Sequence, residues 1–83
     1  MSLLRGTITV HGGEPARSAV VEVLNPSGDV LDQVQVDQGG RYLYHLGSGI
    51  WTLRVWDAHG HRGRADVQLG DEDKVLDLDL DEG

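Results

Sequence analysis

Apolar and polar residues alternate with period two along almost the whole chain, the pattern of strands that bury one face. Leu4, Gly6, Ile8 and Val10 fall on one face of a first strand, with Arg5, Thr7 and Thr9 on the other. His11-Gly12-Gly13-Glu14-Pro15 breaks it. Ala19, Val21 and Val23 mark a second strand, and Asn25-Pro26-Ser27-Gly28-Asp29 a turn, because Pro presets φ and Gly supplies φ > 0. A third strand runs from Val30 to Val36, with Val34 and Val36 inward. Asp37-Gln38-Gly39-Gly40 turns the chain into a fourth, carrying Tyr42, Tyr44 and Leu46 on one face. After Gly47-Ser48-Gly49, Trp51, Leu53 and Val55 alternate with Ile50, Thr52, Arg54 and Trp56. A polar loop from Asp57 to Arg62 leads to a strand with Ala65, Val67 and Leu69 inward, and Gly70-Asp71-Glu72-Asp73 to a last one through Leu76, Leu78 and Leu80. Seven short strands joined by short turns predict an all-β, mostly antiparallel β-sandwich. Its predicted core is Ile8, Val21, Val23, Tyr42, Tyr44, Trp51, Leu53, Val55, Leu76 and Leu78. No segment has a helical period.

Composition narrows the class. With 83 residues the chain makes one small domain, and with no Cys it has neither disulfides nor a thiolate metal site. Twelve Gly beside only two Pro fit many tight turns. Phe is absent, so Trp51, Tyr42 and Tyr44 must supply the aromatic bulk of the interior. The net charge is −7, and the stretch from Gly70 to Gly83 holds seven acids against Lys74 alone. Such a balance repels phosphate backbones and anionic lipid, which argues against nucleic-acid binding. No apolar run reaches the ~20 residues of a membrane span, so direct membrane insertion is not expected.

The turns and strands together resemble a carboxypeptidase regulatory-like domain. Gly6-Thr7-Ile8-Thr9-Val10, Glu14-Pro15 and Ser18-Ala19-Val20-Val21-Glu22-Val23 are similar to its opening. Val36-Asp37-Gln38-Gly39-Gly40-Arg41-Tyr42 resembles its Thr-Asp-x-x-Gly-x-Tyr signature. Gly49-Ile50-Trp51-Thr52-Leu53-Arg54-Val55 resembles its Gly-x-Tyr-x-Leu-x-Val strand, and Leu76-Asp77-Leu78-Asp79-Leu80 its closing strand. The resemblance covers residues 4–81 as a single domain. It implies a transthyretin-like (prealbumin-like) sandwich, related to collagen-adhesin B-type domains, that is non-catalytic and accessory and has no cofactor. Its expected partners are neighbouring domains of a larger parent, a membrane-associated or exported protein among the candidates, with the cell envelope or exterior favoured as its place. Residues 1–3 and 82–83 read as vector-derived ends. Asp37, Gly39, Gly40 and Gly49 are the structural turn positions: Asp37 to bond turn amides, a glycine to reverse the chain, Gly49 to aim Trp51 inward.

Several residue groups carry candidate chemistry. His11-Gly12-Gly13-Glu14 has the His-x-x-Glu spacing of zinc enzymes, but without a third ligand it reads as a solvent-facing turn. In His59-Gly60-His61-Arg62-Gly63-Arg64, His59 and His61 can chelate a divalent metal with Asp57 as third ligand, the two Arg can hold an anion, or the segment is a plain hairpin loop. Trp56, with Arg54 or Asp57 to bond hydroxyls, is a candidate platform for carbohydrate. The acids of the closing segment read as solvated charge that guards a sheet edge. The serines lie in turns or at the terminus, outside any nucleophile-elbow context. A urate-pathway hydrolase of transthyretin type ends in Tyr-Arg-Gly-Ser, whereas this chain ends in Leu80-Asp81-Glu82-Gly83. The leading expectation is an accessory interaction module; the alternative is a ligand-binding module for carbohydrate or metal.

Overall fold

The computed structural model describes residues 2–82, all strands and connections with no helix. The strands are β1 (Ser2–Val10), β2 (Glu14–Pro15), β3 (Val20–Leu24), β4 (Val30–Gln35), β5 (Arg41–Leu46), β6 (Gly49–Trp56), β7 (His61–Leu69), β8 (Lys74–Val75) and β9 (Leu78–Glu82). Two of the nine, β2 and β8, are two-residue additions to β1. The other seven are the predicted strands. Ser2 and Leu3 lie inside β1, and Ser2 Oγ donates to the carbonyl of Gly70.

One layer is built on β1 and β5, paired antiparallel from Ser2↔Leu46 to Thr7↔Arg41. The other runs β4-β3-β6-β7, antiparallel throughout. β9 joins them: it lies parallel to β1 (Ile8↔Leu78) and antiparallel to β7 (Arg62↔Asp81). The sheet therefore curls from one layer into the next. On the far side β4 and β5 are not paired, and Tyr44 Oη bridges them by donating to Asp32 Oδ2 at 2.9 Å.

Leu4, Ile8, Val21, Val23, Leu53 and Val55 fill the centre, all fully or almost fully buried. Tyr42 is buried as predicted, while Tyr44, Trp51, Leu76 and Leu78 are only half-buried and pack on the rim. The reason is polar: the indole N–H of Trp51 donates to the Gly47 carbonyl at 3.0 Å, and Tyr44 reaches Asp32. Aromatic groups with a polar end settle where that end finds a partner.

The predicted closing strand is interrupted. Leu76 N–H donates to the Arg5 carbonyl (2.8 Å), while the Leu76 carbonyl accepts from Tyr42 Oη (2.6 Å) and lies against Gly6. A Cβ on Gly6 would overlap that oxygen. The acids of this segment are not simply solvated. Asp73 Oδ1 accepts from Leu3 N–H (2.9 Å), Asp77 Oδ1 from Thr7 N–H (2.8 Å), and Asp79 Oδ1 from Thr9 Oγ1 (2.8 Å) and Gly12 N–H (3.2 Å). They tie the last strand segment to the first.

Candidate functional site

The β6–β7 turn is organised by Asp57. Its Oδ1 accepts the amide protons of His59 (2.9 Å) and His61 (2.8 Å), and Gly60 takes φ +87° to close the turn. Asp37 does the same for its own turn, accepting from Gly39 (2.8 Å) and Arg41 (2.9 Å), where Gly40 takes φ +76°. Asp57 differs in being buried and in giving its second oxygen to a histidine, Oδ2 lying 2.7 Å from Nδ1 of His61, where Oδ2 of Asp37 faces the exposed Arg41 at 3.6 Å. Burial pushes the Asp57 carboxyl up, but the His61 amide, the His61 imidazole and the His59 amide outweigh it and hold the group below its usual range. It is therefore ionised at neutral pH, and an ionised carboxylate only accepts. Nδ1 of His61 is then the donor, and Nε2 carries the lone pair of the neutral ring.

A second turn brings in His11. It is the one described non-glycine residue with positive φ, at +52°, and the next residue's amide is held by Asp79. Its ring meets that of His61 edge to face, with centroids 5.1 Å apart and planes at 89°. The His59 ring is 6.4 Å from that of His61. Ala58 N–H donates to Ser18 Oγ at 3.1 Å, which anchors the β6–β7 turn to the β2–β3 connection. The two motifs read separately in the sequence, His11-x-x-Glu14 and Asp57 to His61, thus line one depression together with Arg17 and Ser18. Among the described residues no three His, Asp or Glu donors converge on one point as they stand.

Asp57 and His61 also border a second depression, on the outward face of β6 and β7, with Glu22, Arg54, Trp56, Arg62 and Arg64. Buried Glu22 is bonded by Gln33 Nε2 (2.9 Å) and by Arg54, whose Nε lies at 2.8 Å and whose Nη2 makes an ion pair. Gln33 first and Arg54 second hold its carboxyl below the usual range, against the effect of burial. Trp56 is half-buried opposite Arg62, and Arg54 stands opposite Arg64.

These contacts rearrange the expected sites. Asp57 is the partner of His61 and the cap of its turn, so three of its roughly four acceptor sites are engaged and only one, on Oδ2, is left for a metal or a sugar hydroxyl, while Arg54 is bonded to Glu22. His11, Glu22, Arg62 and Arg64 enter through strand pairing. Gly49, at φ +146°, starts β6 with the Trp51 ring near it.

Residues 1–80 match the sequence profile of a family described as a protein of unknown function, DUF1416. No curated protein matches in sequence. Among solved structures, the Bacillus anthracis TIE protein is similar at TM-score 0.76 and 21% identity, over 95% of this chain and 16% of that one. The Klebsiella pneumoniae 5-hydroxyisourate hydrolase matches at TM-score 0.76 and 20% identity, over 100% of this chain and 92% of that one. A DUF3823 family protein from Bacteroides ovatus matches at TM-score 0.71 and 18% identity, over 96% of this chain and 44% of that one. The fold is accordingly a transthyretin-like β-sandwich. The chain spans about a sixth of the TIE chain and under half of the DUF3823 chain.

Proposed function

The chain belongs to the DUF1416 family, and from that premise we propose that it is a non-catalytic accessory module. It binds a protein partner through the outward face of the β4-β3-β6-β7 layer. The observation that supports this reading best is the pair Arg62 and Arg64. Among the described residues neither guanidinium has a carboxylate at salt-bridge distance. Arg64 stands directly opposite Arg54, whose charge is met by Glu22 on its other side, so Arg64 adds a like charge for which the described residues offer no carboxylate. Asp81 opposes Arg62 in register and Asp66 lies one strand repeat beyond Arg64, bonded by Thr52 Oγ1 at 2.8 Å. The free donors therefore sit in a small basic island around Trp56, with acids at its border. The partner that fits is an extended segment that brings a carboxylate to each arginine, because alternate side chains on a strand repeat at about 7 Å, as Arg62 and Arg64 do. Arginine forks suit carboxylates.

Two further points support the reading. The same sandwich occurs within longer chains. The carboxypeptidase regulatory-like resemblance also points to a non-catalytic neighbour of other domains, in an exported or membrane-associated parent. The test is an NMR titration of the ¹⁵N-labelled chain with a capped peptide of alternating Glu and Thr, and with its Gln–Thr counterpart. The indole N–H of Trp56 and the amides of Arg62 and Arg64 should shift saturably with the Glu peptide only, and Arg62→Glu/Arg64→Glu should abolish the effect. Equal shifts with both peptides, or none, would overturn the partner assignment. Hydrolysis of 5-hydroxyisourate above background, lost in His61→Ala, would overturn the non-catalytic half.

A further inference from the structure

We propose that His11 and His61 form a zinc site, completed by His59, in the depression between the β1–β2 and β6–β7 turns. The site shares Asp57 and His61 with the border of the arginine face but uses none of its arginines, and it stands or falls without that reading. The first argument is the Asp57–His61 pair. A carboxylate bonded to one imidazole nitrogen fixes the tautomer and leaves the other nitrogen as a ligand, the outer-shell pattern of metal-binding histidines. Asp57 Oδ2, 2.7 Å from Nδ1, does this for His61, and burial keeps the pair from being competed away by water.

The second argument is distance. A Zn–N bond of about 2.05 Å puts the centroid of a bound imidazole about 3.2 Å from the metal, so two rings at a tetrahedral angle have centroids about 5.2 Å apart. His11 and His61 are 5.1 Å apart, in perpendicular planes. The two rings are thus spaced as ligands of one ion. His59, at 6.4 Å from His61, is about an ångström too far. It is exposed on the turn, so its side chain can close that gap when an ion arrives, which accounts for the lack of a ready-made three-ligand group. Glu14 lines the same depression and offsets the one cation there, Arg17.

The third argument is anchoring. The two turns are joined to the sandwich independently, Gly12 N–H to Asp79 and Ala58 N–H to Ser18, so the His11–His61 spacing is set by the fold and not by the ion. An all-imidazole donor set selects zinc and its neighbours over magnesium or calcium, which prefer oxygen.

The test titrates zinc chloride into the tag-free chain at neutral pH, followed by calorimetry and by ¹H–¹⁵N spectra of the imidazole rings. The expected result is one zinc per chain, with Nε2 of His61 and the His11 ring shifted and His45, exposed on β5, unchanged. His11→Ala should weaken binding at least about tenfold, and Asp57→Asn about 10- to 100-fold, the usual cost of losing an outer-shell partner. Should Asp57→Asn fail to fold, His59→Ala on the exposed turn serves instead and should also weaken binding. No saturable zinc binding, an affinity unchanged by His11→Ala, binding centred on His45, or equal binding of magnesium would each overturn the proposal.

Discussion

Asp57 does three things with two oxygens. It caps its turn through the amides of His59 and His61, fixes the His61 ring, and remains charged inside the protein. Removing it leaves His61 Nδ1 and two amides without their acceptor in a buried place. Losing a hydrogen bond to a charged acceptor costs about 1.5–3 kcal/mol, so Asp57→Ala should lose at least an amount of that order in urea denaturation. Asp37 makes the same turn bonds at the surface, where water replaces them, and Asp37→Ala should cost about 1 kcal/mol. The pH dependence follows from the same contacts. The carboxyls of Asp57 and Glu22 are held below their ordinary values of 3.8 and 4.5 in the folded chain. A depressed folded pKa adds stability that is fully present above the unfolded value and is lost as pH falls through the folded one. Stability should therefore hold from neutral pH down to about 5 and decline below about 4. Asp57→Asn should flatten part of that decline; an acid limb identical to that of the parent chain would show that Asp57 takes no part in it.

At the scale of elements, the break between β8 and β9 is the feature most open to attack. Gly6 sits where the Leu76 carbonyl crosses β1, and any side chain there must push the closing segment away. Overpacking of this kind costs about 1–3 kcal/mol. Gly6→Ala should lose that much and, by hydrogen exchange, loosen the amide of Leu76 in particular; a variant as stable as the parent would contradict the packing. Tyr42→Phe removes the second partner of the same carbonyl and should cost about 1 kcal/mol. The alternation of Val21, Val23, Leu53 and Val55 gave away the central strands because each buries one face in a layer of antiparallel neighbours. The closing segment misled because Leu76 to Leu80 alternates perfectly while its ladder with β1 lapses at Leu76 and Asp77, where the Tyr42 hydroxyl and the Asp77 carboxylate take the backbone bonds. Hydropathy reports which face is buried, not which strand is the neighbour. The candidate site was half legible for the same reason. Asp57, His59 and His61 share one turn, so spacing exposed them. His11 reaches them only because β9 links β1 to β7, a pairing between chain ends that no local pattern carries. Tyr44 and Trp51 alternate in step with the apolar positions and so predict core, but they sit on the rim because their polar ends find partners there.

Over the whole molecule, charge is concentrated at one seam. The stretch from Gly70 to Gly83 carries all but one unit of the net −7, and three of its aspartates are fixed against the first strand and its turn, Asp73 and Asp77 by amides of β1 and Asp79 by the Thr9 hydroxyl and the Gly12 amide. Folding thus gathers carboxylates along the join between the first and last strands, and their mutual repulsion opposes the curl that closes the sandwich. Hydrogen bonds from neutral amides hold these groups individually but do not cancel their charge. On the other side of the balance, the described residues form only two ion pairs between a carboxylate and an arginine, and one of them, Arg41 with Asp37, is well exposed at 3.6 Å and contributes little. The Arg54–Glu22 and His61–Asp57 pairs each have a buried member, which shields them in part from added ions. Salt should then weaken the repulsion more than the attraction, because the repelling groups are exposed and the buried pairs are screened less. The chain is expected to gain thermal stability between low salt and 0.5 M sodium chloride, the reverse of a fold held by surface ion pairs. Were relief of repulsion worth about 1 kcal/mol, the midpoint would rise by about 4–8 °C in a domain of this size. Replacing Asp71 and Glu72, both exposed and without a bonded partner among the described residues, by Asn and Gln should raise the low-salt midpoint and shrink the salt effect. A midpoint that falls with salt in the parent chain, or a neutralised variant with the parent's salt dependence, would show that the seam is not where the chain's charge acts.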